Sequence, residues 1–264
     1  GHIRDSLKSG EFRPVEVRQV RIPKGRSGRF RKLGIPTIAD RVVQASLKLV
    51  LEPIFEADFK SCSYGFRPNR RAHDAIAEIH HYATSGYEWV LEADVRACFD
   101  EISHTALMTR LRTRITDKRV CALVKAFLKS GILTELGIRE ETPAGTPQGG
   151  ILSPLLANIA LSVLDDHFDQ QWQHEMGDAY QRAKRRRNGE GNWKLTRYAD
   201  DFVIQARFIS QELEDWIEAK LEGWLGLQIN REKTRIVNLQ QPGQSLDFLG
   251  YTFRYERNLY GPGR

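Results

Sequence analysis

The sequence RYADDF at residues 197–202 places two aspartates side by side in a segment that otherwise has the composition of a β-strand. Adjacent carboxylates repel each other, and burying them without a partner is unfavourable. Asp200 and Asp201 therefore fit best at the tip of a hairpin, with strands over 195–198 and 202–205. Aspartate tolerates the unusual backbone angles of such a turn, so we expect both carboxylates to be exposed together.

A third aspartate, Asp94, ends another predicted strand. In EWVLEADVRACFDEI, alternation places Val90, Glu92 and Asp94 on one side of that strand. We expect the strand and the hairpin to lie side by side in one antiparallel sheet. Three carboxylates at strand ends suit Mg²⁺, which takes oxygen ligands and leaves positions for substrate phosphates. Two such ions would promote phosphoryl or nucleotidyl transfer. For an isolated Asp-Asp pair, a simple hairpin turn is the better interpretation.

Basic residues are concentrated at the start of the chain. The 264 residues carry a net charge of +6, whereas residues 1–34 alone contain ten basic and three acidic residues. Much of this charge lies in VRQVRIPKGRSGRFRKLGIP, whose alternation around a turn predicts a hairpin with a basic tip from Lys24 to Arg31. The uneven distribution favours a phosphate-binding surface over an ordinary solvated face.

The cysteines and the hydropathy pattern exclude several classes of protein. Cys62, Cys98 and Cys121 are scattered and form no CxxC pair, so they indicate neither a disulfide framework nor a zinc site. We expect a reducing, cytoplasmic location. No apolar run approaches the ~18 residues of a membrane span, and no signal peptide is recognised at the start of the chain. We therefore expect no membrane partner.

Periodicity predicts an α+β order of helices and strands. A helix is expected to begin at Ser153-Pro154, where serine suits the N-cap and proline suits the first turn. The polar segment AKRRRNGEGN (183–192) predicts a loop. The other predicted helices cover residues 40–59 with a kink or break at Pro53, 105–114, 118–130 and 211–225, and further strands cover 234–239 and 246–253.

Seven segments, taken together, resemble the characteristic blocks of reverse transcriptases in their usual order. The first two are IPKGRSGRFRKLGIPTIADRVVQ and SYGFRPNRRAHDAI, and the next are ADVRACFDEI and GTPQGGILSPLLANIAL. RYADDFVI, GLQINREKTRIV and FLGYTF follow. The blocks are most similar to those of bacterial group II intron reverse transcriptases, also called maturases, and the resemblance covers nearly all of the chain.

The resemblance implies a right-hand polymerase fold with fingers and palm, in which an antiparallel palm sheet packs on helices. Fingers are expected at residues 1–85 and 102–150, and palm at residues 86–101 and 151–264. Family members usually continue into a helical thumb and often a DNA-binding or endonuclease region. We expect neither here, because the chain stops at FRYERNLYGPGR, about where a thumb would begin.

The resemblance also implies the metal ligands. Asp94 and Asp200 would hold two Mg²⁺ ions, for which Mn²⁺ is a possible substitute. Asp201 would lie beside them in the YADD turn, and the backbone carbonyl of Val95 would assist. Asp94, Asp200 and Asp201 are therefore the expected catalytic residues.

Other positions match the residues that bind the incoming nucleotide. Lys24 and Arg31 match the fingers residues that grip the triphosphate, although this loop is a residue longer than usual, so Arg26 and Arg29 could substitute. Gln148 in TPQGG would lie against the nucleotide, with Gly149 and Gly150 permitting close backbone approach. Lys233 in NREKTRI is a candidate nearby cation, for which an ordinary surface lysine is an equally good interpretation.

Phe99 lies five residues after Asp94, where reverse transcriptases carry a bulky side chain under the sugar. An aromatic ring there would clash with a 2′-hydroxyl, whereas related RNA-dependent RNA polymerases tend to place an aspartate there. The nearest aspartate, Asp100, is one position late and in a strand would point to the opposite face. The resemblance therefore implies use of deoxynucleotides. A core-packing role for Phe99 is compatible with this function.

The implied activity is that of an RNA-directed DNA polymerase encoded by a group II intron in a bacterium. Its implied partners are an RNA template, a DNA primer, dNTPs and intron RNA, whereas the oligomeric state is left open. Basic and aromatic groups in SYGFRPNRR and the basic run from Lys184 to Arg187 are of the kind that bind the nucleic-acid backbone and stack on bases. Each segment alone is more often a solvated loop. The alternative is a maturase that binds intron RNA and promotes splicing without polymerisation, although a purely binding protein would not need all three aspartates.

Overall fold

A computed structural model describes residues 1–23, 30–94, 101–134, 137–142, 144–145, 149–209 and 234–256. For Arg31, Ala93 and Asp94 it describes the backbone alone. The chain divides into two compact units. The first contains the described residues of 1–59 and 97–163, and the second those of 60–96, 164–222 and 228–264.

Both units contain helices and strands. In chain order the described elements are α1 (His2–Ser9), β1 (Val17–Pro23), β2 (Phe30–Ile35), α2 (Ile38–Glu56), α3 (Ala72–Thr84), β3 (Trp89–Asp94), α4 (His104–Arg112), α5 (Lys118–Leu128), β4 (Ile132–Leu133), β5 (Arg139–Glu140), α6 (Ser153–Gln170), α7 (Ala179–Arg187), β6 (Trp193–Tyr198), β7 (Asp201–Ala206), β8 (Arg235–Asn238), β9 (Leu246–Phe248) and β10 (Tyr251–Phe253). A π-helical turn, Gln171–Glu175, follows α6.

The first unit contains the predicted basic hairpin. Strands β1 and β2 pair antiparallel as far as Pro23 and Phe30, and the sheet order is β2-β1-β4-β5. Only residues near the base of β1 are buried, whereas its last three residues are exposed. The hairpin tip at residues 24–29 lies outside the described residues.

One face of helix α2 is buried in the first unit. Its buried apolar residues recur every four positions, at Val43, Leu47, Leu51 and Phe55. Its N-terminus is capped by Thr37, whose side chain accepts a hydrogen bond from the Asp40 backbone N–H. The predicted break at Pro53 does not occur, because α2 continues to Glu56. Proline removes one backbone N–H donor at residue 53, and only three further helical residues follow it.

The second unit is built on an antiparallel sheet of order β6-β7-β3-β8. One face forms a hydrophobic core in which Val90, Val203 and Val237 pack with α3 and β9. Helix α3 contributes Ala75 and Ile79 to this core, and β9 contributes Leu246 and Phe248. The expected antiparallel palm sheet packed on a helix is therefore confirmed.

Two local predictions were wrong. The segment predicted as a loop contains most of α7, whose start is fixed by a capping box between Asp178 and Gln181. Lysine and arginine in its last turn also complement the helix dipole. The predicted strand at 246–253 is a hairpin, since Leu249 and Gly250 both have positive φ angles between β9 and β10.

The predicted boundaries of fingers and palm stay a prediction. The compact units group residues 60–85 with the sheet of the second unit, whereas the family-based division assigns them to the fingers. Within the part of the chain that the structure describes, none of the helices has the length and apolar character needed to cross a membrane.

Candidate active site

The backbone register of the second unit brings the three predicted catalytic aspartates to one end of its sheet. In the pairing of β3 with β7, Asp94 lies directly opposite Asp201. In the adjoining hairpin, Tyr198 pairs with Asp201, so that Ala199 and Asp200 form a two-residue turn. The end of the central strand and the acidic turn therefore adjoin through the backbone. The side chain of Asp94 lies outside the described part of the structure.

The turn itself differs from the prediction. Its left-handed residue is Ala199, with φ of 58°, and neither aspartate has a positive φ. Asp201 is exposed, whereas Asp200 is half-buried and therefore less accessible. An alanine in this conformation is under steric strain that glycine would not have. The turn must therefore be held by its surroundings.

A buried arginine, Arg197, provides one such constraint. Its Nε and Nη2 donate to the two carboxylate oxygens of Asp165 at 2.7 and 2.5 Å. Nη2 also donates to Ser63 Oγ, and Nη1 donates to the backbone carbonyl of Ala199, each at 2.7 Å. The side chains of Arg197 and Asp165 are both 0% exposed. The guanidinium thus connects α6, the segment before α3 and the acidic turn.

The segment at residues 62–65 provides a second constraint. Arg197 N–H donates to the Cys62 carbonyl, and Tyr64 N–H donates to the Arg197 carbonyl, each at 2.8 Å. Gly65 then passes so close to the turn that a Cβ atom at this position would lie 2.3 Å from the Ala199 nitrogen. A glycine is required here because no side-chain carbon fits.

Burial keeps two titratable groups of this segment neutral. Burial, and secondarily the nearby Asp165 carboxylate, raises the pKa of the Cys62 thiol far above its usual range. Burial also raises the pKa of Tyr64 to about 12. Both groups are therefore protonated at neutral pH, and neither is suited to act as a base there.

Arg67, in the predicted nucleic-acid-binding segment SYGFRPNRR, has a structural role. It is 8% exposed and donates to the carbonyls of Lys60 and Ser63, each at 2.7 Å. Phe66 is instead 50% exposed, and its ring centroid lies 6.4 Å from that of Tyr198. Of these two neighbouring residues, the aromatic one is therefore the more accessible.

In the first unit, Gly149 of the TPQGG segment makes a close backbone contact. It has φ of 106°, and a Cβ atom there would lie 2.8 Å from the Gly34 carbonyl oxygen of β2. Ile151 N–H donates to the Gln44 side chain at 2.8 Å and so ties the same segment to α2. The close approach seen at Gly149 is to protein backbone.

Several predicted site residues fall outside the described residues. They are Lys24, Val95, Phe99, Gln148 and Lys233, together with the side chains of Arg31 and Asp94. Among the side chains that are described, no group of three His, Cys, Asp or Glu residues is close enough to hold a metal ion. The described donors, Asp200 and Asp201, are carboxylates at an accessible turn, which is the donor chemistry that Mg²⁺ prefers.

The residues that hold the turn were not predicted from the sequence. Arg197, Ser63 and Gly65 all lie within the quoted blocks but were not assigned a role there. A signal was present at Asp165, where the apolar run that begins α6 meets its first charge. A charged residue that continues an apolar helical face calls for a buried partner.

Comparison with known proteins agrees with the resemblance to reverse transcriptases in the sequence. The family model described as "Reverse transcriptase (RNA-dependent DNA polymerase)" matches residues 22–253. The protein YkfC of Escherichia coli (strain K12) is 35% identical over 282 residues, covering 99% of this chain and 73% of YkfC. The group II intron-encoded protein LtrA of Lactococcus lactis subsp. cremoris is 34% identical over 300 residues, covering 96% of this chain. The chain spans 49% of the length of LtrA.

Solved structures share the fold at much lower identity. Apo telomerase from Candida tropicalis superposes with a TM-score of 0.66 at 13% identity, covering 91% of this chain and 47% of that chain. Telomerase from Candida albicans in complex with a fragment of telomeric RNA gives a TM-score of 0.64 at 16% identity, covering 93% of this chain and 45% of that chain. At these identities the similarity establishes the fold alone.

Proposed function

Because the chain belongs to the reverse transcriptase family, and within it to the group II intron-encoded reverse transcriptases and maturases, we propose that it extends a DNA primer on an RNA template. The observation that carries this proposal is the backbone register. It pairs Asp94 with Asp201 and places Asp200 in the adjoining turn. The register brings these three residues to one end of the sheet, which supports a shared site for the two metal ions that promote nucleotidyl transfer.

Divalent metal ions are general to this family, and we propose two Mg²⁺ ions here, with Mn²⁺ as a possible substitute. Asp94, Asp200 and the Val95 carbonyl would hold them, with Asp201 beside them. When bound, such ions supply a charge that activates a hydroxyl and stabilises a leaving oxygen. The role of the chain itself is to hold the carboxylates of the turn in a fixed arrangement.

The proposed reaction transfers a nucleotide from a dNTP to the end of the primer. The primer 3′-hydroxyl attacks the α-phosphate of a dNTP, a new phosphodiester bond forms, and the bond between the α- and β-phosphates breaks. Pyrophosphate leaves, and the hydroxyl proton is lost to solvent. Lys24 and Arg31 would neutralise the triphosphate, while Gln148 and Lys233 would lie close to the nucleotide.

Phe99 would select the sugar. An aromatic ring under the ribose position would exclude a 2′-hydroxyl by contact. Replacing Phe99 by alanine should therefore raise the efficiency of ribonucleotide incorporation by about 10- to 100-fold relative to dNTP incorporation, as a steric contact in a pocket allows. Competition between each rNTP and its dNTP in primer extension measures this ratio. An unchanged ratio would remove the sugar-contact role.

We also propose that nucleic acid contacts the basic end of α7. Lys184 and Arg187 are exposed in its last turn, whereas Arg185 is paired with Glu190 at 2.9 Å. Exposed cations of this kind bind the phosphate backbone through a salt-dependent attraction. This surface suits intron RNA, and it favours a second candidate function, in which the protein assists intron splicing as a maturase.

Primer extension with an RNA template, dNTPs and Mg²⁺ tests the polymerase proposal. The parent protein should add nucleotides, and Asp200→Asn should lose this activity. Asp166→Asn is the matched control, because Asp166 lies on α6 and pairs with Lys60 at 3.8 Å. Equal extension by the parent and Asp200→Asn would refute the metal role. An inactive parent that still binds intron RNA and promotes splicing would establish the maturase function instead.

A further inference from the structure

We propose that Arg197 is a positioning residue for the acidic turn. Its guanidinium, held by Asp165 and Ser63, fixes the carbonyl of Ala199 and thereby sets the affinity of Asp200 for a divalent metal ion. This inference rests on the proposed metal role of Asp200. It assigns a function to a buried ion pair that does not itself contact substrate.

The geometry requires an arginine. One planar group satisfies both oxygens of Asp165, the Ser63 hydroxyl and the Ala199 carbonyl, all within 2.5–2.7 Å. A lysine ammonium is a compact point charge and cannot match the spacing of a carboxylate and also reach a carbonyl on its other side. The residue type is therefore explained by the need to contact three separate segments at once.

Stability alone does not explain the pair. Burying two opposite charges carries a large desolvation penalty, and apolar side chains of similar volume often stabilise a fold equally well. An apolar pair could fill the space between β6 and α6, but it could not donate to Ala199. That donor acts on the one residue of the turn that has a positive φ, immediately before Asp200. The ion pair therefore stabilises the conformation of the turn, and an apolar pair would not.

The charge balance is also suited to a metal site. Asp165 neutralises Arg197, so the buried pair adds no net positive charge beside the turn. An unpaired cation at this position would compete with a bound metal for Asp200 and Asp201. The pair therefore holds the turn without weakening the attraction between its carboxylates and a cation.

A double variant separates positioning from stability. Arg197→Met combined with Asp165→Leu removes both charges, leaves no buried charge unpaired and keeps an apolar contact. We expect it to remain folded, with a thermal unfolding midpoint only modestly below that of the parent, because the Ser63 hydroxyl and the Ala199 carbonyl each lose a donor. We also expect Mn²⁺ binding, measured by electron paramagnetic resonance with Mn²⁺ as the only ligand, to weaken by roughly 10- to 100-fold, as loss of an outer-shell partner does elsewhere.

The kinetic readout should move in the same direction. The Mg²⁺ concentration that gives half-maximal primer extension should rise by a similar factor, whereas the KM for dNTP at saturating Mg²⁺ should stay near the parent value. Asp166→Asn, which alters the neighbouring carboxylate and leaves the pair of Arg197 and Asp165 in place, should match the parent in both measurements. If the double variant does not fold, the same measurements are made on Arg197→Lys, which retains the positive charge but loses the planar arrangement of donors.

The outcomes distinguish this proposal from the proposed function. A folded double variant, or a folded Arg197→Lys variant, that binds Mn²⁺ and responds to Mg²⁺ like the parent would overturn the positioning role. If Asp200→Asn abolishes Mn²⁺ binding and extension in the same experiments, the metal role of Asp200 stands even so. If Asp200→Asn changes neither, the proposed function itself fails.

Discussion

The β1–β2 and β6–β7 hairpins share the same backbone unit but differ in how far they are buried. In the β1–β2 hairpin of the first unit, burial is limited to residues near its base, and the described end of β1 is exposed. The sequence that connects the two strands is rich in basic residues. In the β6–β7 hairpin of the second unit, every residue of β7 after Asp201 is buried, and β6 is buried at Leu195, Thr196 and Arg197. Its turn is held by a buried arginine and by a glycine that admits no side chain.

Under the proposed function, this difference is explained by the charge that each hairpin carries. Clustered carboxylates repel each other and must be held in place until a cation arrives, so a rigid support is needed. Cationic side chains that bind a flexible triphosphate can adjust their positions on binding, and long lysine and arginine side chains do this readily. The acidic hairpin is therefore expected to tolerate few changes around its turn, and the basic hairpin more.

The largest expected effect on folding is at Asp165. Asp165→Ala leaves Arg197 buried without its carboxylate partner, which should lower the free energy of unfolding by about 3–5 kcal/mol. Arg235→Ala is the contrast in the same sheet. It removes a 2.6 Å pair with Glu92 whose side chains are 46% and 27% exposed, and such pairs contribute about 0–1 kcal/mol. Urea denaturation of both variants measures the difference, and equal losses would contradict the distinction between the two pairs.

A smaller effect is expected at Gly65. Gly65→Ala would bring a Cβ atom within 2.3 Å of the Ala199 nitrogen, so the segment must shift, at a loss of about 1–3 kcal/mol of stability. Because the shift occurs at the turn, primer extension should also fall. Gly243→Ala is the control, since its surroundings are open and only its φ of +84° is unfavourable. It should lose about 1 kcal/mol and keep its activity. Full activity in Gly65→Ala would show that the turn does not depend on this contact.

The smallest effect is expected at the basic hairpin. Lys24→Ala or Arg31→Ala should raise the KM for dNTP by about tenfold, equivalent to about 1.4 kcal/mol, because one charge-assisted contact with the triphosphate is lost. Stability should change little, since the end of β1 is exposed. Steady-state kinetics at saturating Mg²⁺ measures the change. Arg26→Ala and Arg29→Ala identify which basic residues bind the triphosphate, and a KM unchanged in all four variants would exclude this role for the hairpin.

The elements with strong local patterns could be predicted from the sequence. The apolar run after Ser153 predicts the start of α6, and alternation in EWVLEAD predicts β3 with Asp94 at its end. The hairpin around Ala199 and Asp200 follows from turn chemistry and flanking apolar residues. In each case the signal lies within about a dozen residues, so no tertiary information is needed.

The support of the turn could not be predicted in the same way. Arg197 and Asp165 are 32 positions apart, and Arg197 and Ser63 are 134 positions apart. No local pattern connects such residues, because tertiary packing alone decides their contact. The positive φ at Ala199 is a similar case, since an aspartate is locally the better residue for it and the surrounding contacts override that preference. The loop predicted at residues 183–192 was wrong for a different reason, because the capping box that starts α7 at Asp178 lies before the polar segment.

The rate of adding a single dNTP to a DNA primer on an RNA template, measured in one turnover across a range of Mg²⁺ concentrations, tests the metal role of the acidic hairpin most directly. Asp200→Asn should reduce this rate by about 1,000-fold or more at every Mg²⁺ concentration, equivalent to about 4 kcal/mol. Asp166→Asn should follow the parent curve. A rate for Asp200→Asn within a few-fold of the parent, with the same dependence on Mg²⁺, would contradict the assignment of the acidic turn as the metal-binding centre.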